Sequence, residues 1–245
     1  NVFFMLLFTA FVCLVLGLGV PTATWHVARD GLAEAVNFLG LLTGSLGKIA
    51  FDTMLMASTE VAEVYEPFVK GRGASSTMPQ KRNPISSELI LACGKAVRQH
   101  AGLMLDAMVQ DYERATGPWH AEWIALPEAF VLAAGALNQA KFMLAGLIVD
   151  ESRMRKNLDM THGLIVAEAV MMGLAPHLGR NEAHDIVYDA CRAVAEKGGR
   201  LADALAKVPE VSKHLDRAAL EKLTDPSNYL GAAREMVDRV VDGRA

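Results

Sequence analysis

A stretch between two apolar parts of the chain concentrates side chains that could do chemistry. Residues 71–90 read GRGASSTMPQKRNPISSELI, in which glycines and prolines enclose hydroxyls, amides and cations. Lys81 and Asn83 stand close together on a segment that prolines on both sides stiffen. Lysine supplies a point charge and asparagine a directional donor, so the pair could hold a carboxylate.

The serines of the same stretch could do a different job. Ser75 and Ser76 lie in its glycine-rich, flexible part. A serine acts as a base only where neighbouring amides and cations stabilise its alkoxide strongly. The simpler interpretation is a solvated polar loop that caps the following helix through Ser86. Spacing alone leaves both interpretations open.

Long helices are expected on both sides of this loop. Apolar side chains recur every few residues over 29–65, which predicts one face of a helix that Pro67 ends. Such a helix would span about 50 Å and indicates an elongated bundle. After the loop, a second helix is expected to be capped by Ser86 or Ser87 and to carry Glu88 in its first turn.

The remaining sequence also predicts helices. No run alternates with a period of two for long enough to predict a strand, so we expect an all-α fold. A third long helix is expected over residues 121–149, and past Asp150 the helices become short and glycines frequent. We therefore expect a long-helix bundle over residues 25–150, with the signature loop at 71–85, and a smaller helical domain over 151–245.

Composition narrows the class of protein. The chain has 245 residues, of which 52% are hydrophobic, and can bury a large core. A net charge of −4 and a pI near 6.0 give no basic footprint for nucleic acid. Cys13, Cys93 and Cys191 are widely spaced, without the pattern of a disulfide framework or a zinc site. We expect free thiols in a reducing compartment, the cytoplasm.

The amino-terminal segment does not fit that picture. Residues 1–20, NVFFMLLFTAFVCLVLGLGV, carry no charged side chain and are long enough to cross a bilayer. No Trp or Tyr belt flanks them, however, and the first basic residue is Arg29. A membrane span, a buried helix and sequence outside the fold all remain open, and we assign no role to residues 1–24.

The loop motif resembles that of a known enzyme superfamily. The segment ASSTMPQKRNPISSE is similar to the signature loop of the fumarase/aspartase superfamily, G-S-S-x-M-P-x-K-x-N-P followed by Glu. Three further segments resemble the 3-carboxy-cis,cis-muconate cycloisomerases of that superfamily: TWHVARDGLAEAVNFLGLLTGSLGKIAFD, ERATGPWHAEWIALPEAF and NLDMTHGLIVAEAVMMGLAPHLGR. The resemblance extends from about Trp25 to the carboxyl terminus, and residues 1–24 are expected to lie outside it.

The resemblance implies roles for the residues that match the motif. Ser75 corresponds to the serine that acts as general base in superfamily lyases. Lys81 and Asn83 correspond to the pair that holds a substrate carboxylate, and Ser76 and Met78 to neighbours of the bound substrate. No metal or organic cofactor is implied.

The same resemblance implies a reaction and an assembly. The cycloisomerases interconvert 3-carboxy-cis,cis-muconate and carboxymuconolactone in aromatic catabolism, through the β-ketoadipate pathway. Their active sites are shared between subunits of a homotetramer, and Glu88 matches an acid that orients a catalytic His from another segment. Family members carry about as much chain again before Trp25, including that His, so we expect a fragment. Ala74 departs from the motif glycine.

Other functions remain open at this point. One alternative is a fumarate-releasing lyase similar to adenylosuccinate lyase, and another is a truncated, non-catalytic scaffold. The WHAEW segment at 119–123 favours the cycloisomerase, because nucleotide-handling lyases usually have a serine-rich stretch there. Lys81, Arg72 and Arg82 give the loop a positive charge suited to a polycarboxylate. His120, beside a Trp near a helix start, is expected to be structural.

Overall fold

The chain forms two compact units, Asn1–Val149 and Asp150–Ala245. The computed structural model describes residues 2–21, 25–73, 75, 77–78, 80–113 and 115–243, with side chains from residue 7 onward. Regular structure in these residues is almost entirely helical, which confirms the all-α prediction. The described residues hold strands of only two residues each.

Long helices dominate the first unit. Its elements, in chain order, are α1 (Val2–Leu16), α2 (Asp30–Met56), β1 (Val64–Tyr65), α3 (Ile85–Asp106), a 3-10 helix (Pro118–Ala121), α4 (Glu122–Ala145) and β2 (Ile148–Val149). The loop motif lies between β1 and α3, so it joins one end of the bundle to the start of a long helix.

Helices α2, α3 and α4 run up, down and up. The start of α3 meets the end of α4, where Ser87 Oγ lies 3.2 Å from Met143 Sδ. The start of α2 meets the start of α4, where Arg29 pairs with Glu122 at 3.0 Å. Because α2 has 27 residues, the two ends of this bundle are about 40 Å apart.

Small side chains on α4 bring these helices close together. Alanines recur along its buried face at intervals of three or four residues, which is the period of a helix stripe. They pack against valine, leucine and methionine side chains of α2 and α3. The buried residues of this face of α4 are Glu122, Ala125, Ala129, Ala133, Ala136, Ala140 and Met143.

Helix α2 is shorter than the sequence predicted, and its expected end at Pro67 is wrong. It ends at Met56, where the chain turns back through Ser58 and reaches a left-handed conformation at Ala62, with φ +55°. The following residues are extended because Val64–Tyr65 pairs antiparallel with Ile148–Val149. This pairing also ends α4 at residue 145 rather than at 149.

The amino-terminal apolar segment forms helix α1. Its 15 residues span about 22 Å, less than the roughly 30 Å core of a bilayer. Among its described side chains Cys13 is buried, whereas Phe8, Phe11 and Leu14 are more than half exposed. By length and composition α2 could cross a membrane, as could the bent pair Glu151–Asp159 and Leu164–Leu178 taken as one span. The core helices of soluble proteins pass the same test.

The second unit consists of short helices around its own core. Leucines, valines and alanines of five of its helices form one buried cluster. The elements are α5 (Glu151–Asp159), a 3-10 helix (Leu164–Val166), α6 (Ala167–Leu178), α7 (Arg180–Lys197), α8 (Leu201–Leu205), α9 (Pro209–Ser212), α10 (Arg217–Leu223), a 3-10 helix (Pro226–Asn228) and α11 (Ala233–Val241).

Candidate active site

The signature loop forms one wall of a cleft at the end of the bundle. The cleft has a volume of about 840 Å³, and Ser58 and Thr59 of the turn after α2 also line it. Met78 and Lys81 line it from the loop. The structure therefore brings two residues of the predicted site to one cavity.

Ser75 is held by its own loop. Its Oγ accepts hydrogen bonds from the backbone N–H of Met78 at 3.0 Å and of Thr77 at 3.3 Å. These bonds make a local serine turn. Two backbone dipoles aimed at the hydroxyl oxygen also stabilise negative charge on it, which is the condition for a serine to act as a base.

Lys81, like the neighbouring Arg82, is a cation that the loop presents to the cleft. Its side chain is exposed, and no carboxylate among the described residues pairs with it. Its backbone N–H donates to the carbonyl of Met78 at 3.0 Å, which ties both residues into one turn. Arg82 also lies near an aromatic ring, with its Cζ 5.2 Å from the centre of Phe68.

Asn83 closes the base of the loop. Its Nδ2 donates to the carbonyl of Gly73 at 2.9 Å, and its backbone N–H donates to the same oxygen at 3.3 Å. Gly73 has φ +67°, and a Cβ there would lie 2.9 Å from the carbonyl oxygen of Asn83. One amide proton of Asn83 therefore holds the loop, and the other remains for a ligand.

The remaining predicted site residues are placed differently. Glu88 is exposed in the first turn of α3 and does not line the cleft. Ser76 lies outside the described residues, so its predicted contact with substrate stays a prediction. The structure thus gathers Met78 and Lys81 in the cleft, with Ser75 on the same loop and Asn83 at its base.

The expectation that Ser86 or Ser87 caps α3 is wrong, because both are buried inside its first turn. The cap comes from Glu66, which lies before the loop. Its carboxylate accepts from the backbone N–H of Ser86 at 2.9 Å and of Ser87 at 2.8 Å, and from the Ser87 hydroxyl at 2.8 Å. A carboxylate suits a helix amino terminus, since it satisfies free N–H groups and faces the positive end of the helix dipole.

The sequence suggested that Arg72 is a free cation of the loop, but the structure shows that its guanidinium is paired. Its Nη2 donates to Ser86 Oγ at 2.7 Å and to Gln139 Oε1 of α4. Its guanidinium also lies over the ring of Phe142, with Cζ 4.0 Å from the ring centre. Arg72 therefore fastens the loop to two helices. A sequence signal for this role was absent, because its partners are far away in the chain.

A cluster of rings lies at the opposite end of the bundle. Trp119 and His120 stack with ring centres 4.4 Å apart, and Trp123 meets both rings edge-on. His26 approaches Trp119 edge-on at 5.1 Å. His120 Nδ1 lies 3.1 Å from the carbonyl oxygen of Gly117. The WHAEW segment is thus about 40 Å from the signature loop of the same chain.

A buried ion pair lies beneath this ring cluster. Arg29 Nη1 is 3.0 Å from Glu122 Oε1 and 3.3 Å from Oε2, and both residues are only 7% exposed. Arg29 also lies near the ring of Trp25, with Cζ 5.5 Å from the ring centre. Its Nε is buried and finds no partner among the described residues.

Two family models match the chain. Residues 8–98 match the model described as Lyase, and residues 163–240 match the one described as Adenylosuccinate lyase C-terminus. With the loop motif and the fold, these matches show that the chain belongs to the fumarase/aspartase superfamily, as the loop motif predicted.

The relatives of this chain are named for different activities. Trans-aconitate decarboxylase 1 of Mycosarcoma maydis is 51% identical over 93% of this chain and 46% of that protein. The 3-carboxy-cis,cis-muconate cycloisomerase of Pseudomonas aeruginosa is 47% identical over 92% of this chain and 49% of that protein. The crystal structure of 3-carboxy-cis,cis-muconate lactonizing enzyme from Pseudomonas putida matches with a TM-score of 0.87 and 44% identity, over 96% of this chain and 52% of that one.

The extent of these matches bears on two expectations. The chain spans about half the length of the curated relatives it matches. The expectation that residues 1–24 lie outside the resemblance is wrong for most of that segment, since the Lyase match begins at residue 8. A uniformly apolar helix offers few distinctive residues to a motif search, which is why the resemblance of α1 to the family was missed in the sequence.

Proposed function

We propose that this chain, within a complete subunit, is part of a cofactor-independent cycloisomerase that interconverts 3-carboxy-cis,cis-muconate and carboxymuconolactone. The observation that carries the proposal is the loop beside the cleft, where Lys81, which pairs with no carboxylate of the described residues, lies on the same turn as an amide-supported Ser75. The choice of substrate rests on the 47% identity with a cycloisomerase of that name.

The proposed chemistry follows from the charges of the loop. Lactone opening removes a proton from the carbon next to a carboxylate, and the electron pair expels the lactone oxygen, which becomes the third carboxylate of the product. Ser75 takes the proton, because the amides of Thr77 and Met78 lower the free energy of its alkoxide. Lys81 and Asn83 hold the carboxylate whose charge grows during proton removal, so they stabilise the transition state more than the ground state. Closure runs the same steps backwards.

A second candidate is decarboxylation or elimination on a related small acid. The 51% identity with trans-aconitate decarboxylase 1 favours it, because that name also denotes a small polycarboxylate. The match of residues 163–240 keeps an adenylosuccinate-lyase-like reaction as the next alternative. A non-catalytic scaffold is the remaining alternative.

We also propose a homotetramer with shared active sites. The face of α2 that is not covered within the chain carries Phe38, Leu41, Phe51 and Leu55, which are 53–73% exposed. A stripe of this kind calls for burial against other helices. The signature loop and the WHAEW segment lie at opposite ends of one bundle, so a site that used both would need two copies. Free thiols at all three cysteines agree with the cytoplasm as the proposed compartment.

The test supplies the chain with the amino-terminal half of the Pseudomonas aeruginosa relative and measures mass by sedimentation. Loss of the ultraviolet absorbance of 3-carboxy-cis,cis-muconate, without added metal or nucleotide, supports the cycloisomerase. Parallel assays use trans-aconitate, followed by carbon dioxide release, and adenylosuccinate, followed by fumarate release. Activity in only one of these assays moves the assignment to that reaction. A tetramer inactive in all three supports the scaffold.

A further inference from the structure

We propose that Glu66 and Arg72 are positioning residues for the signature loop, which set the reach of Ser75 and Lys81 without touching substrate. They do so by fixing both ends of the loop on helices α3 and α4. The inference rests on the proposed function of the loop. The residues that make these contacts are called the loop neck: Glu66, Arg72, Gly73, Asn83, Ser86, Ser87 and Gln139.

The first anchor holds the segment that enters the loop. Glu66 follows directly after β1, whose pairing with β2 lays this segment across the end of α4. Pro67 packs there so closely that a Cβ added at Gly146 would lie 2.8 Å from the Cβ of Pro67. From this fixed place Glu66 accepts three hydrogen bonds from the first turn of α3. The start of the loop and the helix after it are thereby joined.

The second anchor uses the same serine. Ser86 is fully buried; its backbone N–H donates to Glu66 and its hydroxyl accepts from Arg72. Arg72 in turn reaches Gln139 and covers the ring of Phe142. A planar guanidinium can make this forked and stacked set of contacts at once, which an ammonium cannot. Ser86 is thus the point at which both ends of the loop meet.

The third contact closes the neck next to the reactive residues. Gly73 accepts two hydrogen bonds from Asn83, directly between the anchors and the part of the loop that carries Ser75 and Lys81. Fixing the backbone on both sides removes conformational freedom that substrate binding would otherwise have to remove. A catalytic group misplaced by about 1 Å can lose about two orders of magnitude in rate, so this fixation affects turnover.

The first test measures how well the loop neck protects backbone amides, and it does not depend on catalysis. Amide hydrogen exchange is compared in the chain and in Glu66→Gln and Arg72→Met variants, with the exposed Glu34→Gln and Arg98→Met as matched controls. We expect exchange at the amides of residues 83, 86 and 87 to rise about five- to tenfold in the two neck variants, the size expected for loss of a helix cap. The controls should leave it unchanged. Unchanged exchange in the neck variants overturns the proposal.

The second test asks whether the neck acts through the loop. In the assembled enzyme we expect Glu66→Gln and Arg72→Met to lower kcat about tenfold or more, with a smaller change in KM. Arg72→Lys should not restore it, because lysine lacks the fork. In a Ser75→Ala, Lys81→Met background, where both positioned groups are absent, the neck substitutions should have no further effect on kcat. A general loss of structure would instead lower the residual rate again, and that result would overturn the positioning role.

The two proposals fail in different ways. If the assembled wild type converts no small carboxylic acid, the proposed function is wrong, and the exchange experiment alone decides whether the neck orders the loop. If the wild type is active and the neck variants exchange faster but turn over normally, the neck has no positioning role and this inference is wrong. A Ser86→Ala variant adds a check, because Arg72→Met should cost less kcat in its background.

Discussion

Arg29 and Glu122 form an ion pair at 3.0 Å between the start of α2 and the start of α4, and both are 7% exposed. Removal of one partner leaves the other charge buried without compensation. We expect Glu122→Gln to lower the free energy of unfolding by about 3–5 kcal/mol in urea denaturation.

A matched control for this prediction lies on the same helix. Glu128 pairs with His100 at 3.0 Å, but its side chain is 58% exposed, so Glu128→Gln should lower the free energy of unfolding by less than about 1 kcal/mol. A double variant Arg29→Met, Glu122→Met removes both charges and should recover much of the loss. Equal effects of Glu122→Gln and Glu128→Gln would show that the buried pair contributes no more to the free energy of unfolding than the exposed pair does.

Lys81→Met tests the proposed carboxylate clamp. The lysine is exposed and makes no ion pair with the described residues, so its removal should leave the free energy of unfolding within about 0.5 kcal/mol of wild type. In the assembled enzyme kcat/KM should fall by about two orders of magnitude or more. Circular dichroism serves as the structural control. An unchanged kcat/KM would remove Lys81 from the site.

Ser75→Ala tests the proposed base. Because a base acts in the transition state, kcat should fall by about 10²–10⁴-fold while substrate affinity changes little. The substitution also removes the acceptor for the amides of Thr77 and Met78. Thr77→Val is a useful control, because it keeps Ser75 and the backbone amide and removes only the Thr77 hydroxyl, which lies 3.4 Å from Ser75 Oγ. A Ser75→Ala enzyme with substantial turnover would make the hydroxyl a local turn contact only.

Gly73→Ala should destabilise the loop neck for two separable reasons. Alanine resists a φ of +67°, at a cost of about 1–2 kcal/mol, and its Cβ would lie 2.9 Å from the carbonyl oxygen of Asn83. Gly71 also has positive φ, +82°, but an added Cβ there meets nothing within 4 Å. The excess loss of unfolding free energy in Gly73→Ala over Gly71→Ala therefore measures the close approach. Equal losses of unfolding free energy in the two variants would show that the loop neck accommodates the added Cβ without a further cost.

Asp225 should make the second unit sensitive to acid. A backbone hydrogen bond from Ser227, followed by the Arg155 guanidinium, lowers the pKa of its carboxyl. Since the folded pKa lies below the unfolded value of about 3.9, its contribution is fully present above that pH and is lost as pH falls through the folded pKa. Asp225→Asn should flatten the acid side of the unfolding profile, whereas Asp189→Asn, on an exposed face of α7, should not. Identical acid profiles for all three proteins would contradict this assignment.

Local patterns in the sequence were sufficient for the fold class and for the loop. The apolar period of α2 and the alanine-rich period of α4 are set by residues within one or two helical turns. Both helices can therefore be predicted without a structure. The order of residues from Ser75 to Asn83 is likewise a local property. These features identified an all-α member of the fumarase/aspartase superfamily before any packing was known.

Helix ends and the support of the loop depended on residues far apart in the chain. Helix α2 stops at Met56, and the chain then turns so that β1 pairs with β2, whose residues lie beyond α4. Glu66 caps a helix that begins after the loop, and Arg72 reaches Gln139, 67 residues away. No residue near Ser86 in the sequence indicates whether the serine side chain caps helix α3 or whether a distant carboxylate caps it.

The reason is the range over which each interaction acts. The apolar period of a helix and the order of residues in a motif depend on residues a few positions apart. These local contacts form in any fold that contains the same helices. Buried hydrogen bonds and ion pairs form only after helices have packed, because their partners must leave water together. The sequence by itself therefore determined the helices and the signature loop, and only the tertiary structure decided that Glu66 and Arg72 both contact Ser86 at the base of that loop.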